Sequence, residues 1–193
     1  MIHLFCILNK GTWYLNLIGA IKMCNLEPKI YVACLAAYNS RILHGRWIDA
    51  TPDADDIQDE INAMLAESPC PDAEEWAIHD YEGFGGLTIE EDTSIESIAN
   101  FVMFIEKYDE LGAAVLEYCD QDIDSATTML EDQYHGEYDS EFDFATDLFD
   151  EIYAYSIPEP ARSYINYESF IHDIFIDSYF SLEAGGKTHV FSY

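Results

Sequence analysis

The chain has 193 residues, with 38 Asp and Glu against 8 Lys and Arg, a formal net charge of -30. At 49% hydrophobic and 15% aromatic residues it is too apolar to stay disordered, so it folds and keeps its charge despite self-repulsion. The same balance excludes nucleic acid and an anionic membrane as partners, because both are held through Lys and Arg.

Residues 1–22 are apolar and slightly basic, but Asn9, Lys10 and Asn16 interrupt them, and no run is long enough for a membrane span. Residues 1–27 read as an N-terminal extension, of which residues 1–22 lie upstream of a natural start at Met23; the competing reading of that stretch is a poor signal or interfacial segment. Lys29–Ala36 (K-I-Y-V-A-C-L-A) is rich in β-formers, Asn39-Ser40 supplies a turn, and Ile42–Asp49 reads as the returning strand of an antiparallel hairpin. Thr51-Pro52 gives an N-cap followed by proline at the first helical position. Ile57, Ile61, Met64 and Leu65 then form one apolar stripe, and Asp55 and Asp59 point away from it, flanked by Asp56 and Glu60. Ser68-Pro69 stops that helix and Trp76–Tyr81 returns as a third strand. The result is a ββαβ unit over residues 28–85.

Gly83, Gly85 and Gly86 mark a linker. Thr93 and Glu96 form a capping box ahead of a helix bearing Ile95, Ile98, Val102 and Ile105. Asp109–Cys119 and Asp122–Gln133 are two further short helices, and Tyr134–Asp139 is turn-like. Ser140–Tyr155 is the clearest amphipathic helix, with Phe142, Ala145, Phe149 and Ile152 on one side and Asp143, Asp147, Asp150 and Glu151 on the other. Residues 86–156 thus read as an acid-coated helical domain. After Pro158 and Pro160, residues 157–193 form a C-terminal α+β domain: a helix over Tyr164–Phe175, then strands Phe175–Leu182 and Thr188–Tyr193 joined through Gly185-Gly186. The predicted fold class is α+β, an elongated chain of three small domains.

No constellation points to catalysis or to a cofactor. Cys6, Cys24, Cys34, Cys70 and Cys119 are scattered, without a CxxC pair, and read as reduced thiols of a cytoplasmic protein. His79-Asp80 and His172-Asp173 have no GxSxG beside them, and Gly83-Phe84-Gly85-Gly86 lacks the Lys-Ser/Thr of a phosphate loop. Asp120, Asp122, Asp124 and Glu131 match the carboxylate spacing of an EF-hand, but Ser125 stands where the sharp turn needs Gly and Thr127 where an apolar residue belongs. In a chain this acidic such spacing arises by chance, and calcium binding is the weakest functional reading.

The charge itself is more informative. Between Ile48 and Ala161 stand 33 acids and one base, Lys107, while the rest of the chain holds 5 acids and 7 bases. Solubilising surfaces mix signs, whereas a segregated single-sign surface fits a basic partner. Two partners are natural: a basic protein carried by an acidic chaperone, or the DNA-binding groove of an enzyme. A net of -32 matches roughly 54 Å of duplex, about 16 base pairs, at one charge per ~1.7 Å.

The stretches Ile30–Asn39, Gly45-Arg46-Trp47-Ile48, Glu75–Glu82, and Ile165-Asn166-Tyr167 through the terminal His189–Tyr193 resemble the ArdA antirestriction family of mobile elements, and the E-W-A-I-H-D-Y-E run is the most specific of them. The resemblance runs from about Pro28 to the C-terminus. It implies a non-enzymatic DNA mimic that occupies the duplex-binding groove of type I restriction–modification enzymes. It also implies a curved, elongated homodimer with three small domains per chain. The family's antirestriction motif falls near Leu116–Glu131. The acids expected to stand in for phosphates are Asp55, Asp56, Asp59, Glu60, Asp120, Asp122, Asp124, Glu131, Asp143, Asp147, Asp150 and Glu151, with no metal ligand among them.

Overall fold

The computed structural model describes residues 26–71, 73–153 and 155–193. The extension expected over residues 1–27, with Cys6 and Cys24, lies outside the described residues up to position 25.

Lys29–Cys34 forms β1, whose side chains alternate between a buried face carrying Ile30 and Val32 and an open face carrying Lys29 and Tyr31. The chain then makes a short helix, α1 (Leu35–Asn39), and a turn in which Arg41 takes a positive φ of 63°. The second strand, β2, is therefore only Gly45–Asp49, shorter than the sequence suggested, because residues 42–44 are spent leaving that turn. α2 (Ala54–Ala66) is capped by Asp53, whose carboxylate accepts from the Asp56 N–H. Thr51 is not the cap: its N–H and hydroxyl both donate to Asp49 Oδ1. β3 (Trp76–Glu82) completes an antiparallel sheet of order β2-β1-β3. The expected hairpin pairing of β1 and β2 is present, with the short helix in its connection.

The glycines at 83, 85 and 86 all have positive φ, but the segment they open is packed rather than a free linker: Phe84, Leu87 and Ile89 are buried. α3 (Ile95–Tyr118) is capped by Ser94, which accepts from the Ser97 N–H at 3.1 Å. The expected cap is one residue off, since Thr93 Oγ1 instead accepts from the Glu90 N–H. Asp109, with φ 53° and ψ -145°, breaks α3 into two helical pieces, as the separate stripes before and after it predicted. α4 (Ile123–Thr128) runs into a π-helical turn over Met129–Gln133.

Tyr134–Tyr138 is β4, not a turn. It pairs with the last strand, and residues 86–156 are thus not wholly helical. α5 (Glu141–Tyr153), α6 (Glu159–Arg162) and α7 (Tyr167–Asp177) follow. α7 ends where the sequence suggested a strand had begun. β5 (Tyr179–Ala184) and β6 (Lys187–Ser192) are joined by Gly185-Gly186, with φ of 58° and 72°, the two-residue turn that only left-handed residues fit. The second sheet has order β4-β6-β5, antiparallel throughout.

The fold is thus α+β, with two three-stranded antiparallel sheets. One apolar core runs from Ile30, Val32 and Ile48 through α2 and α3 to Phe191 of the second sheet. Cys34, Cys70 and Cys119 are free thiols.

Candidate partner-binding surface

On α2 the buried stripe of Ile57, Ile61 and Met64 fixes which way the helix faces. Asp55, Asp56, Asp59 and Glu60 are all exposed as a result. Asp55 and Asp56 lie in the first turn, where the amide ends of the helix favour negative charge. Asp59 and Glu60 lie beyond it, each four residues after another acid, an arrangement that costs a helix about 0.2–0.5 kcal/mol per pair. Helix stability therefore accounts for the first two acids and not for the second two.

In the middle of the chain, Asp120 and Gln121 take positive φ of 51° and 66° to turn from α3 into α4. Gln121 locks the turn by donating from Nε2 to the Thr88 carbonyl at 2.7 Å, and Glu117 beside it accepts from the Thr88 N–H and hydroxyl. Asp122 caps α4, accepting from the Ser125 N–H at 2.7 Å, and the Ser125 side chain, together with that N–H, holds its carboxyl below the usual range. Asp124 and Glu131 project to solvent from α4 and the π-turn. The EF-hand-like spacing is thus occupied by a turn, a helix cap and a helix. Among the described residues no three His, Cys, Asp or Glu side chains gather around a point that could hold a metal ion.

α5 begins with a reciprocal cap: Ser140 Oγ donates to Asp143 Oδ2 at 2.7 Å and accepts from the Asp143 N–H. Its buried face is Phe144, Ala145 and Phe149. Phe142 and Ile152, expected inside, are about half exposed, because the helix is rotated so that Phe144 takes the inward position. Asp143, Asp147, Asp150 and Glu151 are exposed. Asp143, Asp147 and Glu151 stand four apart, and Asp150 and Glu151 occupy the last turn, which has no basic residue. Acid at a helix C-terminus opposes the macrodipole. Together with Glu141, five carboxylates lie along 13 residues. At 1.5 Å per residue that is one charge per ~4 Å, near the ~3.4 Å of a single DNA strand.

The twelve acids singled out from sequence are all exposed, spread over α2, the stretch from the α3–α4 turn to the π-turn, and α5. Further exposed acids escaped that selection. Glu90, Glu91 and Asp92 form a run ahead of α3, and Asp49, Asp80 and Glu82 lie on the open face of the first sheet. The alternation in Gly45–Asp49 and Trp76–Glu82 carries the signal for the second group. The cations are largely committed within the chain: Lys29 to Glu27 at 3.4 Å, Arg46 to Glu67 at 2.8 Å, Arg162 to Glu159 at 3.6 Å, and Lys187 to Asp139. The Lys187 ammonium holds the Asp139 carboxyl below its ordinary range.

Two open clefts fall on this acidic surface, one lined by Lys29, Trp47, Asp49, Glu60 and Glu82 and a smaller one by Thr88, Glu90, Glu117, Asp120 and Gln121. No helix among the described residues is long and apolar enough to cross a membrane. No curated protein matches the chain. The family model described as antirestriction protein (ArdA) matches residues 30–188, from the second residue of β1 into β6. With every described helix and all the strands but the outer ends of β1 and β6 inside that match, the chain belongs to the ArdA family of antirestriction proteins.

Proposed function

We propose that the chain acts as a DNA mimic that competes with duplex for the binding groove of a type I restriction–modification enzyme. It acts in the cytoplasm by binding alone, with no catalytic step. The observation that carries this reading is the segregation of charge: 33 acids and one base between residues 48 and 161, on a chain whose remainder is slightly basic. The acids of α2, of the α3–α4 turn and of α5 stand in for phosphates and meet the Lys and Arg side chains that would otherwise hold DNA.

Two features support mimicry over simple solubility. Like charges repeat at four-residue spacing on α2 and α5, and acids persist at the C-terminal end of α5, where each costs helix stability. A surface selected only for solubility has no reason to bear that cost. We further propose a homodimer of chains built as three small domains in series, which doubles the length of the charge array.

The test is a titration of a type I methyltransferase complex with the protein, with and without competing duplex. Competition with DNA, weakening steeply with salt, is the expected result. Simultaneous binding of protein and duplex would exclude mimicry and favour an acidic carrier of basic proteins. Because many charges share the contact, a single Asp→Asn change should cost little. Neutralising Asp143, Asp147, Asp150 and Glu151 together removes four pairs at about 0.2–1 kcal/mol each, a combined loss of about four-fold to several hundred-fold in affinity.

A further inference from the structure

We propose that the open face of the β2-β1-β3 sheet is an arginine-selective site, built on the Tyr31–Trp47 ring pair and flanked by Asp49 and Glu82. The inner face of this sheet is closed by Ile30, Val32 and Ile48. On the outer face the register sets Tyr31 opposite Trp47 on one side and Asp80 on the other, and Lys29 opposite Asp49 and Glu82. Trp47 is a large apolar side chain left 43% exposed on a strand whose next residue, Ile48, is wholly buried. It is not loose: its ring centroid lies 5.6 Å from that of Tyr31, tilted by 60°.

Gly45 explains how the pair is held. A Cβ there would meet the Val32 carbonyl oxygen at 2.6 Å and the far end of the Tyr31 ring at 2.8 Å. The absent side chain lets Tyr31 lie against β2 and brace Trp47. Beside the rings a cleft of about 610 Å³ is lined by Lys29, Trp47, Asp49, Glu60 and Glu82, three carboxylates against one ammonium. That ammonium is turned toward Glu27 at 3.4 Å and Glu82 at 3.9 Å. Asp49 is fixed by Thr51, whose N–H and hydroxyl both donate to Oδ1, so neither bond uses Oδ2. Asp49 lies two residues from Trp47 on the same face, about 7 Å along the strand.

An exposed indole with a fixed carboxylate about 7 Å away suits a planar cation. A guanidinium stacks on the ring and donates from its edge to the carboxylate, which a compact, strongly hydrated ammonium does poorly. The occupant is an arginine side chain of a basic partner. That partner is the enzyme groove only insofar as the proposed function holds; the preference for arginine over lysine does not depend on it.

The test is calorimetric titration of the full chain with octa-arginine and with octa-lysine at matched ionic strength. The expected result is tighter binding of octa-arginine by about two- to five-fold, the range of an exposed cation–π contact. Trp47→Leu should abolish that ratio while leaving octa-lysine binding nearly unchanged, and Trp47→Phe should retain part of it. Circular dichroism checks that each variant is folded. Asp49→Asn should weaken both peptides. Equal affinity for the two peptides, binding of neither, or a preference that survives in Trp47→Leu overturns the proposal. Failure here leaves competition with duplex by the α5 acids intact. Conversely, loss of that competition with the arginine preference retained would overturn the mimicry and not this site.

Discussion

The two sheets hold their acidic helices in different ways. Under α2 the packing is aliphatic and closed: Ile30, Val32, Ile48, Ile57 and Ile61 are at most 1% exposed. Around α5 it is aromatic and half open. Phe144 meets Phe175 and Tyr179, and Phe149 meets Tyr153, Tyr167 and Phe170, with ring centroids 4.9–5.9 Å apart and mostly edge-to-face. α7, which supplies much of this contact, has no fully buried residue. Aliphatic side chains interdigitate into a core of crystal-like density, whereas edge-to-face rings hold through a few directional contacts and tolerate water at their rims. The first arrangement resists opening as a unit; the second fixes a charged helix with less buried area behind it.

The largest expected effect follows from that contrast. Ile61→Ala or Ile48→Ala should cost about 2–5 kcal/mol in urea unfolding, since a closed aliphatic site relaxes little around a cavity. Phe170→Ala should cost less overall and should instead lower hydrogen-exchange protection selectively in α5 and α7. Equal, global destabilisation by both would erase the distinction between the regions. Next in size is Gly45→Ala, whose Cβ runs into the Val32 carbonyl and the Tyr31 ring. It should destabilise by about 1–3 kcal/mol and change Trp47 emission by shifting its neighbour.

A smaller effect of opposite sign is expected at the C-terminal turn of α5. Asp150→Asn with Glu151→Gln should stabilise the fold by about 0.3–1 kcal/mol, read as a slightly higher thermal midpoint, through relieved dipole and like-charge repulsion, while weakening binding to the enzyme. Loss of stability on neutralisation would contradict the reading that those acids are kept at a cost.

The smallest effect separates the sheets by pH. His189 of β6 is buried, with the Tyr134 hydroxyl 2.9 Å from Nδ1 and the Ala184 carbonyl 3.3 Å from Nε2. Burial lowers its pKa, although the Ala184 bond and the charges of Glu137 and Glu183 act the other way. A depressed histidine contributes stability that is fully present above about pH 6.5 and is lost as the pH falls through the lowered folded-state value. Protection factors in β4–β6 should therefore drop between pH 7 and pH 5 more than those in β1–β3, and His189→Gln should reduce the difference, leaving the part due to His135 of β4, whose pKa burial also lowers.

How far the sequence could be read follows the same divide between local and distant causes. The α2 stripe, the Gly185-Gly186 turn and the Asp122 start of α4 depend on neighbours a few residues away, and they were legible. β4 was not: Tyr134-His135-Gly136-Glu137-Tyr138 looks like a turn, and it is a strand only because β6, more than 50 residues later, pairs with it. The inward choice of Phe144 over Phe142 was likewise set by Phe175 and Tyr179, which no helical period reveals. The Thr93-for-Ser94 slip is of another kind, two adjacent hydroxyls competing for one cap. On the surface, exposure of the α2 and α5 acids was legible from the apolar stripes opposite them. The Trp47 face was missed because its meaning lies in the strand register and in the space left at Gly45.

On the proposed mimicry, the charge between residues 48 and 161 takes the place of duplex DNA. Equilibrium competition between this protein and a labelled duplex for one type I methyltransferase complex, repeated across salt concentrations, tests it most directly. Mutually exclusive binding is expected, with protein and duplex affinities both falling steeply as salt rises. A ternary complex of enzyme, duplex and protein, or a protein affinity indifferent to salt, would contradict it.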